Sequence, residues 1–296
     1  MQNFTRRVVP IEVRTRLDSM NLLDRFLFNE TVEDVQIYND VVNILLEDHI
    51  DLYGWSETEK ELRISPELRA IRLDVIGIDI HGDVFQMEMQ GRNTYNLPKR
   101  SRFYQGQIDV SLLEPGCVDF NKLNDLTTIL VAPFDIFGYG LYRYTFELYC
   151  QEVPNLRLND GAKRIFINTN GTNPQDYSKE FLDFMKYINT STNACAENSE
   201  SQRIKRIHER VCLVKQSEKI GVKLMQAWEE KIYEIEDARA EGLAEGRTDA
   251  LFCIIGNMLK DHLPLNMILR YSGGTIEEIR EIARRLNIPV VEESEI

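Results

Sequence analysis

The sequence predicts an α/β fold in which helices flank a mixed sheet, followed by an all-helical C-terminal extension. Two apolar, β-branched segments joined by a short glycine-containing turn, residues 71–90, predict a β-hairpin. An apolar run at residues 126–132, bounded by Asp and Pro, predicts a buried strand. From residue 201 onward the apolar residues recur at helical spacing, which predicts helices alone.

The N-terminal segment precedes the sheet. Residues 1–18 are basic and lack periodicity, and we interpret them as an irregular arm. Residues 31–46 have the apolar spacing of an amphipathic helix, and a shorter apolar segment at 21–28 comes before it. Asp24 lies in that shorter segment, and its position alone favours a helix N-cap or a solvated carboxylate over a catalytic acid.

The remaining elements of the predicted core alternate between strand and helix. A helix is predicted from residue 96, with Pro98 in its first turn and an end at the Glu114-Pro115-Gly116 sequence. Strands are predicted at residues 61–64, 141–150 and 163–169, and a further helix at 177–188.

The chain divides into three predicted parts. Residues 1–190 form the α/β domain, and a small, polar segment at 189–201 has the composition of a linker. Residues 200–247 form a long charged segment, helical over 201–234. Residues 248–296 form a small helical module, in which Thr275 and Glu278 predict a capping box. The mixed charge of its last helix favours packing or dimerisation over reading DNA.

The sequence ARAEGLAEGR, residues 238–247, repeats Ala-Glu-Gly and places Gly242 and Gly246 on one helix face. Each glycine costs a helix about 1 kcal/mol relative to alanine. Small residues at this spacing permit close approach of a second helix, so one interpretation of the repeat is packing or a homodimer formed through the C-terminal helices. A flexible hinge accounts for the repeat equally well.

Composition limits the class of protein. The chain has 296 residues with a formal charge of −13, which argues against a protein that coats DNA non-specifically. The five cysteines and four histidines are dispersed, a pattern that favours reduced thiols and excludes a sequence-local zinc site. The N-terminus has no apolar signal-peptide region, and no apolar run is long enough to cross a membrane. We therefore expect a cytoplasmic protein without membrane contact.

The predicted hairpin carries polar side chains inside its strands. Glu88 and Gln90 lie two residues apart, so they share one face of their strand. A turn centred on Gly82 pairs Asp74 with Gln90 and places Glu88 diagonally from Asp74, roughly 7–8 Å away at the backbone. A turn one residue shorter moves Asp74 to the other face. Two carboxylates and an amide that converge in this way suit an oxygen-liganded divalent ion.

A basic segment follows the hairpin directly. No acidic residue occurs between Met89 and Ile108, and aromatic residues are interleaved with the basic ones. A carboxylate site beside a cationic helix suits hydrolysis of a phosphodiester. The alternative is an edge hairpin with one solvated face, because acidic residues two apart occur by chance in many strands. The basic residues are Arg92, Lys99, Arg100 and Arg102.

Three blocks of sequence occur together and in order: RLDVIGIDIHGDVFQMEMQ, PKRSRFYQGQIDVSLLEPG and FNKLNDLTTILVAPFDIFG. In this combination the chain resembles the PD-(D/E)XK nuclease superfamily. Within it, the chain is most similar to the bacterial Rpn-type recombination-promoting nucleases, which are also described as transposases. The resemblance covers roughly residues 21–188 and continues loosely through the Ala-Glu-Gly repeat.

The resemblance implies a restriction-endonuclease-like αβββαβ core that binds Mg²⁺ or Mn²⁺. Asp74, Glu88 and the backbone carbonyl of Met89 match the metal ligands, and Gln90 stands at the position of the motif's lysine. Asp24 matches an additional acid that some members carry on the first helix. The resemblance assigns phosphate and DNA binding to a basic-aromatic helix that contains Lys99, Arg100, Arg102 and Tyr104, and we add Arg92 just before it.

Two positions depart from the family pattern. Leu73, not proline, precedes Asp74, and Gln90 cannot carry the charge of a lysine. Lys99 or Arg100 could supply that charge, or the metal could carry more of the chemistry. The carboxylate site and the basic helix predict a metal-dependent endonuclease, and the resemblance implies that it acts on DNA in recombination or on mobile elements. The alternative is a catalytically degenerate nuclease fold that acts as a nucleic-acid-binding or assembly module.

Overall fold

The structure, a computed structural model, describes residues 9–52, 57–62, 71–113 and 116–292, with the backbone alone for residues 57–62 and 71–75. The α/β fold with a mixed sheet between helices is confirmed. Asp74 has a described backbone position, whereas its side chain lies outside the described atoms.

One six-stranded sheet has the order β1-β2-β3-β4-β6-β5. The first three strands are antiparallel neighbours, β3, β4 and β6 run parallel, and β5 pairs with β6 in antiparallel orientation. The crossover from β3 to β4 contains a helix, as a parallel connection requires. The strands are β1 (Glu57–Leu62), β2 (Ile71–Ile78), β3 (Val84–Met89), β4 (Leu126–Ala132), β5 (Arg143–Phe146) and β6 (Ala162–Asn168).

Ten α-helices are assigned in the described part of the chain. The helix between β3 and β4 is α4, which begins after Asn96 with proline in its first turn, as predicted. The helices are α1 (Ile11–Ser19), α2 (Arg25–Val32), α3 (Val35–Leu46), α4 (Leu97–Leu112), α5 (Lys179–Asn189), α6 (Asn193–Glu197), α7 (Gln202–Gln216), α8 (Glu218–Lys260), α9 (Leu265–Ser272) and α10 (Ile276–Leu286).

Helix α3 packs on one face of the hairpin formed by β2 and β3. Tyr38 is fully buried, and its hydroxyl donates a 2.9 Å hydrogen bond to the carbonyl of Phe85. Gly77, which pairs with Phe85, makes this approach possible, because a Cβ there would lie 2.6 Å from Cε1 of Tyr38. A missing side chain on β2 therefore fixes how closely α3 approaches the sheet.

Helix α4 covers the opposite face. Ile76, Val84 and Leu126 from three neighbouring strands pack against Ile108 of α4, and all four are buried. Alternation along β3 places Val84, Gln86 and Glu88 on this face. The polar side chains of the predicted site therefore point toward α4.

Several boundaries differ from the sequence prediction. The helix predicted at residues 31–46 is divided at Asp34, whose carboxylate accepts the Gln36 and Ile37 N–H groups as the N-cap of α3. The helix predicted at 201–234 is likewise interrupted by Ser217, which has an extended backbone conformation between α7 and α8. The predicted irregular arm contains α1 from residue 11.

The segment interpreted as a linker, residues 189–201, is also folded. It contains α6, and Ser191, Ala196 and Ser199 are buried. The Ser191 hydroxyl accepts the backbone N–H of Leu22 at 2.8 Å and donates to the carbonyl of Tyr187. Small, polar residues here satisfy buried backbone groups, which composition alone does not distinguish from a solvated linker.

The chain forms two compact units, residues 1–225 and 226–296. The second has its own core, centred on Ile255, Ile268 and Ile279, all fully buried. The predicted capping box of Thr275 and Glu278 opens α10. No helix in the described residues is both long enough and apolar enough to cross a membrane.

Candidate active site

The register of the hairpin differs from the predicted one by two residues. Ile78 pairs with Val84 and Val75 with Met87, so extending this ladder by one pair places Asp74 opposite Glu88 instead of Gln90. The difference arises in the turn, where the Asp79 carboxylate accepts the N–H groups of His81 and Asp83 at 2.8 Å. Directly opposite strand residues have Cβ atoms about 4.5–5.5 Å apart, closer than the predicted diagonal.

Glu88 is buried beneath α4 and paired with a cation. Its side chain is 7% exposed, and its Oε1 accepts a 2.7 Å hydrogen bond from a terminal nitrogen of Arg100. Burial raises the pKa of Glu88 above the ordinary value, while the positive charges of Arg100 and Arg25 oppose this shift. Arg100 therefore favours the ionised carboxylate that burial disfavours.

Gln90 belongs to the same cluster. The same terminal nitrogen of Arg100 donates to Oε1 of Gln90, and the amide nitrogen of Gln90 donates to the backbone carbonyl of Arg92. The orientation of the Gln90 amide is thereby fixed. Of the two cations considered from sequence, Arg100 contacts the site residues, whereas Lys99 is exposed on the outer surface of α4.

Buried polar atoms without a hydrogen-bond partner are concentrated on this face of the sheet. They are Glu88 Oε2, both amide atoms of Gln86, Thr128 Oγ1 and Arg100 Nε; among the described side chains, the other case is Asn29 on α2. Gln86 and Thr128 pair across β3 and β4 and are 0% and 1% exposed. Buried polar groups are normally satisfied, so such a concentration marks a place for an ion or water.

The donor set is compatible with a divalent ion. Glu88 Oε2 is a carboxylate oxygen with no hydrogen-bond partner among the described residues, and Asp74 is opposite Glu88 in the strand register. Within the described side chains, no three His, Cys, Asp or Glu residues are grouped as a metal site. The side chain of Asp74 lies outside these described side chains. Met89 is buried and pairs with Val131 in the parallel ladder.

Comparison with known proteins gives no relative. No protein-family model, curated protein or solved structure matches the chain.

Asp24 is the N-cap of α2. Its carboxylate accepts the N–H of Phe26 at 3.0 Å, the role that its position alone favours. Asp24 also lines a surface depression together with Gly91, the residue after Gln90. The start of α2 thus lies close to the end of β3, but Asp24 already has a structural role there.

The predicted phosphate-binding residues fall into two groups. Arg92, Lys99 and Arg102 are exposed, as binding to a nucleic-acid backbone requires. Tyr104 is instead half-buried against the apolar cluster beneath α4, and the guanidinium carbon of Arg100 lies 5.7 Å from the centre of its ring. Tyr104 therefore contacts Arg100 as well as the apolar cluster.

Gln86 and Thr128 were not predicted from the sequence to belong to the site. Gln86 lies two residues before Glu88, so strand alternation could have placed it on the site face. Thr128 could not be found in this way, because its position depends on the parallel register between β3 and β4. That register forms through the α4 crossover and has no local sequence signal.

Proposed function

We propose that this protein is a magnesium-dependent DNA endonuclease that acts in recombination or on mobile elements. The observation that supports this proposal is the cluster in which Arg100 of the basic helix α4 contacts both the buried Glu88 and Gln90, with Glu88 in strand register with Asp74. The order of strands and the helical crossover between β3 and β4 are compatible with the αβββαβ core of the PD-(D/E)XK superfamily, which the sequence resembles.

Asp74 and Glu88, with the backbone carbonyl of Met89, would hold the Mg²⁺ or Mn²⁺ ion. When bound, such an ion lowers the pKa of a coordinated water and stabilises negative charge on the leaving oxygen. Glu88 contributes an oxygen that accepts no hydrogen bond from the described residues, at a position where burial excludes competing solvent.

In this proposal, Gln90 and Arg100 each take over one role of the lysine in the family motif. Gln90 orients the attacking water through its amide, which Arg100 and the Arg92 carbonyl hold in place. Arg100 provides the positive charge that Gln90 lacks, and its guanidinium is suited to bind phosphate oxygens. Arg92, Lys99 and Arg102 bind phosphates on either side of the cleaved bond and position the DNA.

Incubation of supercoiled plasmid with the purified protein and Mg²⁺ tests this proposal. The wild type should nick the plasmid, and the variants D74A and E88A should lose nicking by at least about 100-fold, as expected when electrostatic stabilisation is removed. The variant E33A removes an exposed carboxylate that is distant in sequence from Asp74 and Glu88, and it should retain full activity. Equal nicking by all four proteins would show that the activity is a contaminant.

A degenerate nuclease fold is the second candidate function, favoured by the ion pair that Arg100 already forms with Glu88. In that case the protein binds nucleic acid or assembles without catalysis. Titration calorimetry with Mn²⁺ distinguishes the two. Binding that is lost in E88A supports the nuclease, and absence of binding by the wild type supports the degenerate protein.

We further propose that the protein forms a homodimer through its C-terminal helices, which would place two sites on one DNA duplex. Helix α8 continues without interruption through Gly242 and Gly246, and a Cβ added at either glycine would meet open space. Leu243 on the same stretch is 68% exposed. Light scattering that gives the mass of a single chain would contradict this proposal.

A further inference from the structure

An aromatic pocket lies on the α4 face of the sheet, beside the candidate active site. It has a volume of about 210 Å³ and opens between the start of α4 and strands β5 and β6. Its walls include Phe137, Phe146 and Phe166, whose ring centres are 4.8–5.6 Å apart. Phe166 is buried, whereas Phe146 is 42% exposed. We call this cavity the aromatic pocket.

Polar groups border the aromatic pocket on the side of α4. Arg164 lines it, and its Nε and one terminal nitrogen donate to Oε1 of Gln105 at 3.2 and 2.6 Å. Ser101 and Pro98 of α4 complete this side. The pocket therefore offers flat apolar surfaces and a guanidinium fixed at its edge, which can donate hydrogen bonds to a ring carbonyl or ring nitrogen.

The location of the aromatic pocket connects it to the proposed phosphate site. Ser101 directly follows Arg100, which contacts Glu88. Lys99 and Arg102, on the same turns of α4, are exposed. From Leu97 to Gln107 this helix carries no acidic residue. A DNA strand whose phosphates contact α4 thus has its bases within reach of the aromatic pocket.

We propose that the aromatic pocket binds one nucleobase of a single-stranded or locally opened DNA strand beside the phosphate that is cleaved. This proposal deepens the proposed nuclease function and rests on it. Stacking on aromatic rings suits every base, because each has a π-face, and the positive helix binds the backbone in any sequence. The volume admits a single ring system and is smaller than typical sites for larger ligands, about 300–1,000 Å³.

Binding of short fluorescently labelled strands, measured by polarisation in EDTA, tests the proposal without cleavage. One strand carries thymine bases, and the other is an abasic deoxyribose-phosphate strand of equal length. The wild type should bind the strand with bases about 5- to 150-fold more tightly, the range expected for stacking of a single base. In F146A this preference should fall to within about twofold, while affinity for the abasic strand stays unchanged.

Two further variants control for effects of F146A other than the loss of stacking. F146W keeps a stacking surface and should preserve the preference. Y149A removes an exposed aromatic residue from the same segment, one that stacks with Arg157 outside the pocket, and should also preserve it. Circular dichroism of F146A and F146W checks that both variants are folded.

The outcomes separate this proposal from the nuclease proposal. Equal preference in the wild type and F146A, or no preference in the wild type, would overturn the base pocket whatever the plasmid assay gives. Loss of the preference in F146A supports the base pocket even if the wild type does not nick plasmid, in which case the nuclease proposal alone fails.

Discussion

At the scale of single residues, Glu88 shows how burial and charge compete at this site. Burial raises its pKa, and Arg100 opposes the rise through the 2.7 Å hydrogen bond. A carboxyl whose folded-state pKa is raised holds its proton more tightly in the folded than in the unfolded protein. The stability associated with the protonated form is therefore present below the ordinary glutamate pKa and is lost as the pH rises through the raised one.

The variant E88Q has no ionisable group at this position, so it should not lose this stability as the pH rises. In the absence of divalent ions, the melting temperature of E88Q relative to the wild type should increase as the pH rises through the raised pKa of Glu88, and then reach a plateau. Below the ordinary glutamate pKa the difference should be smallest, because the wild-type side chain is then neutral as well. Thermal unfolding monitored by circular dichroism from acid to neutral pH measures it.

E33Q is the control for general charge effects, since it makes the same substitution at an exposed glutamate. A difference between E88Q and wild type that stays flat or declines with rising pH would show that Arg100 outweighs burial in setting the protonation of Glu88.

The site could be predicted from sequence only as far as strand alternation extends. Alternation correctly placed Glu88 and Gln90 on one face, because the side-chain period of a strand is fixed. The prediction that Asp74 pairs with Gln90 was wrong, because the strand register depends on the hydrogen bonds of the Asp79 side chain within the turn. The choice between Lys99 and Arg100 also needed the structure, since it depends on how α4 is rotated about its axis.

At the scale of elements, α3 and the hairpin are joined by a close approach that only glycine permits. The fully buried Tyr38 lies against Gly77, and its hydroxyl binds the backbone of β3. In G77A the added Cβ would lie 2.6 Å from the tyrosine ring, so the ring or α3 must move. We expect G77A to lower the free energy of unfolding by about 1–3 kcal/mol, the usual cost of overpacking.

G106A provides a matched control with the opposite sign. Gly106 is an exposed residue within α4, and a Cβ there would meet open space. The same substitution should therefore raise the free energy of unfolding by up to about 1 kcal/mol through helix propensity. Urea unfolding of both variants measures the two changes. If G77A were as stable as G106A, the approach of α3 would not be fixed by Gly77.

Elements were predictable where local chemistry sets their ends. Asn96 and Pro98 mark the start of α4, and the run at residues 126–132 coincides with β4. Prediction failed where one apolar pattern continues across an internal cap. Asp34 interrupts the stripe that spans residues 31–46, and Ser217 interrupts the stripe after residue 201. Apolar periodicity continues across such caps because both neighbouring helices pack on the same core.

At the scale of the whole molecule, each compact unit has a separate hydrophobic core. Ile129 in β4 is fully buried in the first unit, and Ile279 in α10 is fully buried in the second. Helix α8 runs through the boundary, yet every residue from 229 to 250 is exposed. Within a single chain, a helical stretch without tertiary packing is marginally stable and transmits little cooperativity.

Calorimetry should therefore resolve two unfolding transitions, and I129A and I279A should each lower a different one. Both substitutions remove the same group from a fully buried position, so each should cost its own unit about 2–5 kcal/mol. I279A should retain nicking at temperatures where the first unit is folded, because all proposed ligands lie in that unit. A single transition that both variants lower equally would mean that α8 couples the two cores into one cooperative structure, and nicking would then be lost in both variants above that lowered transition.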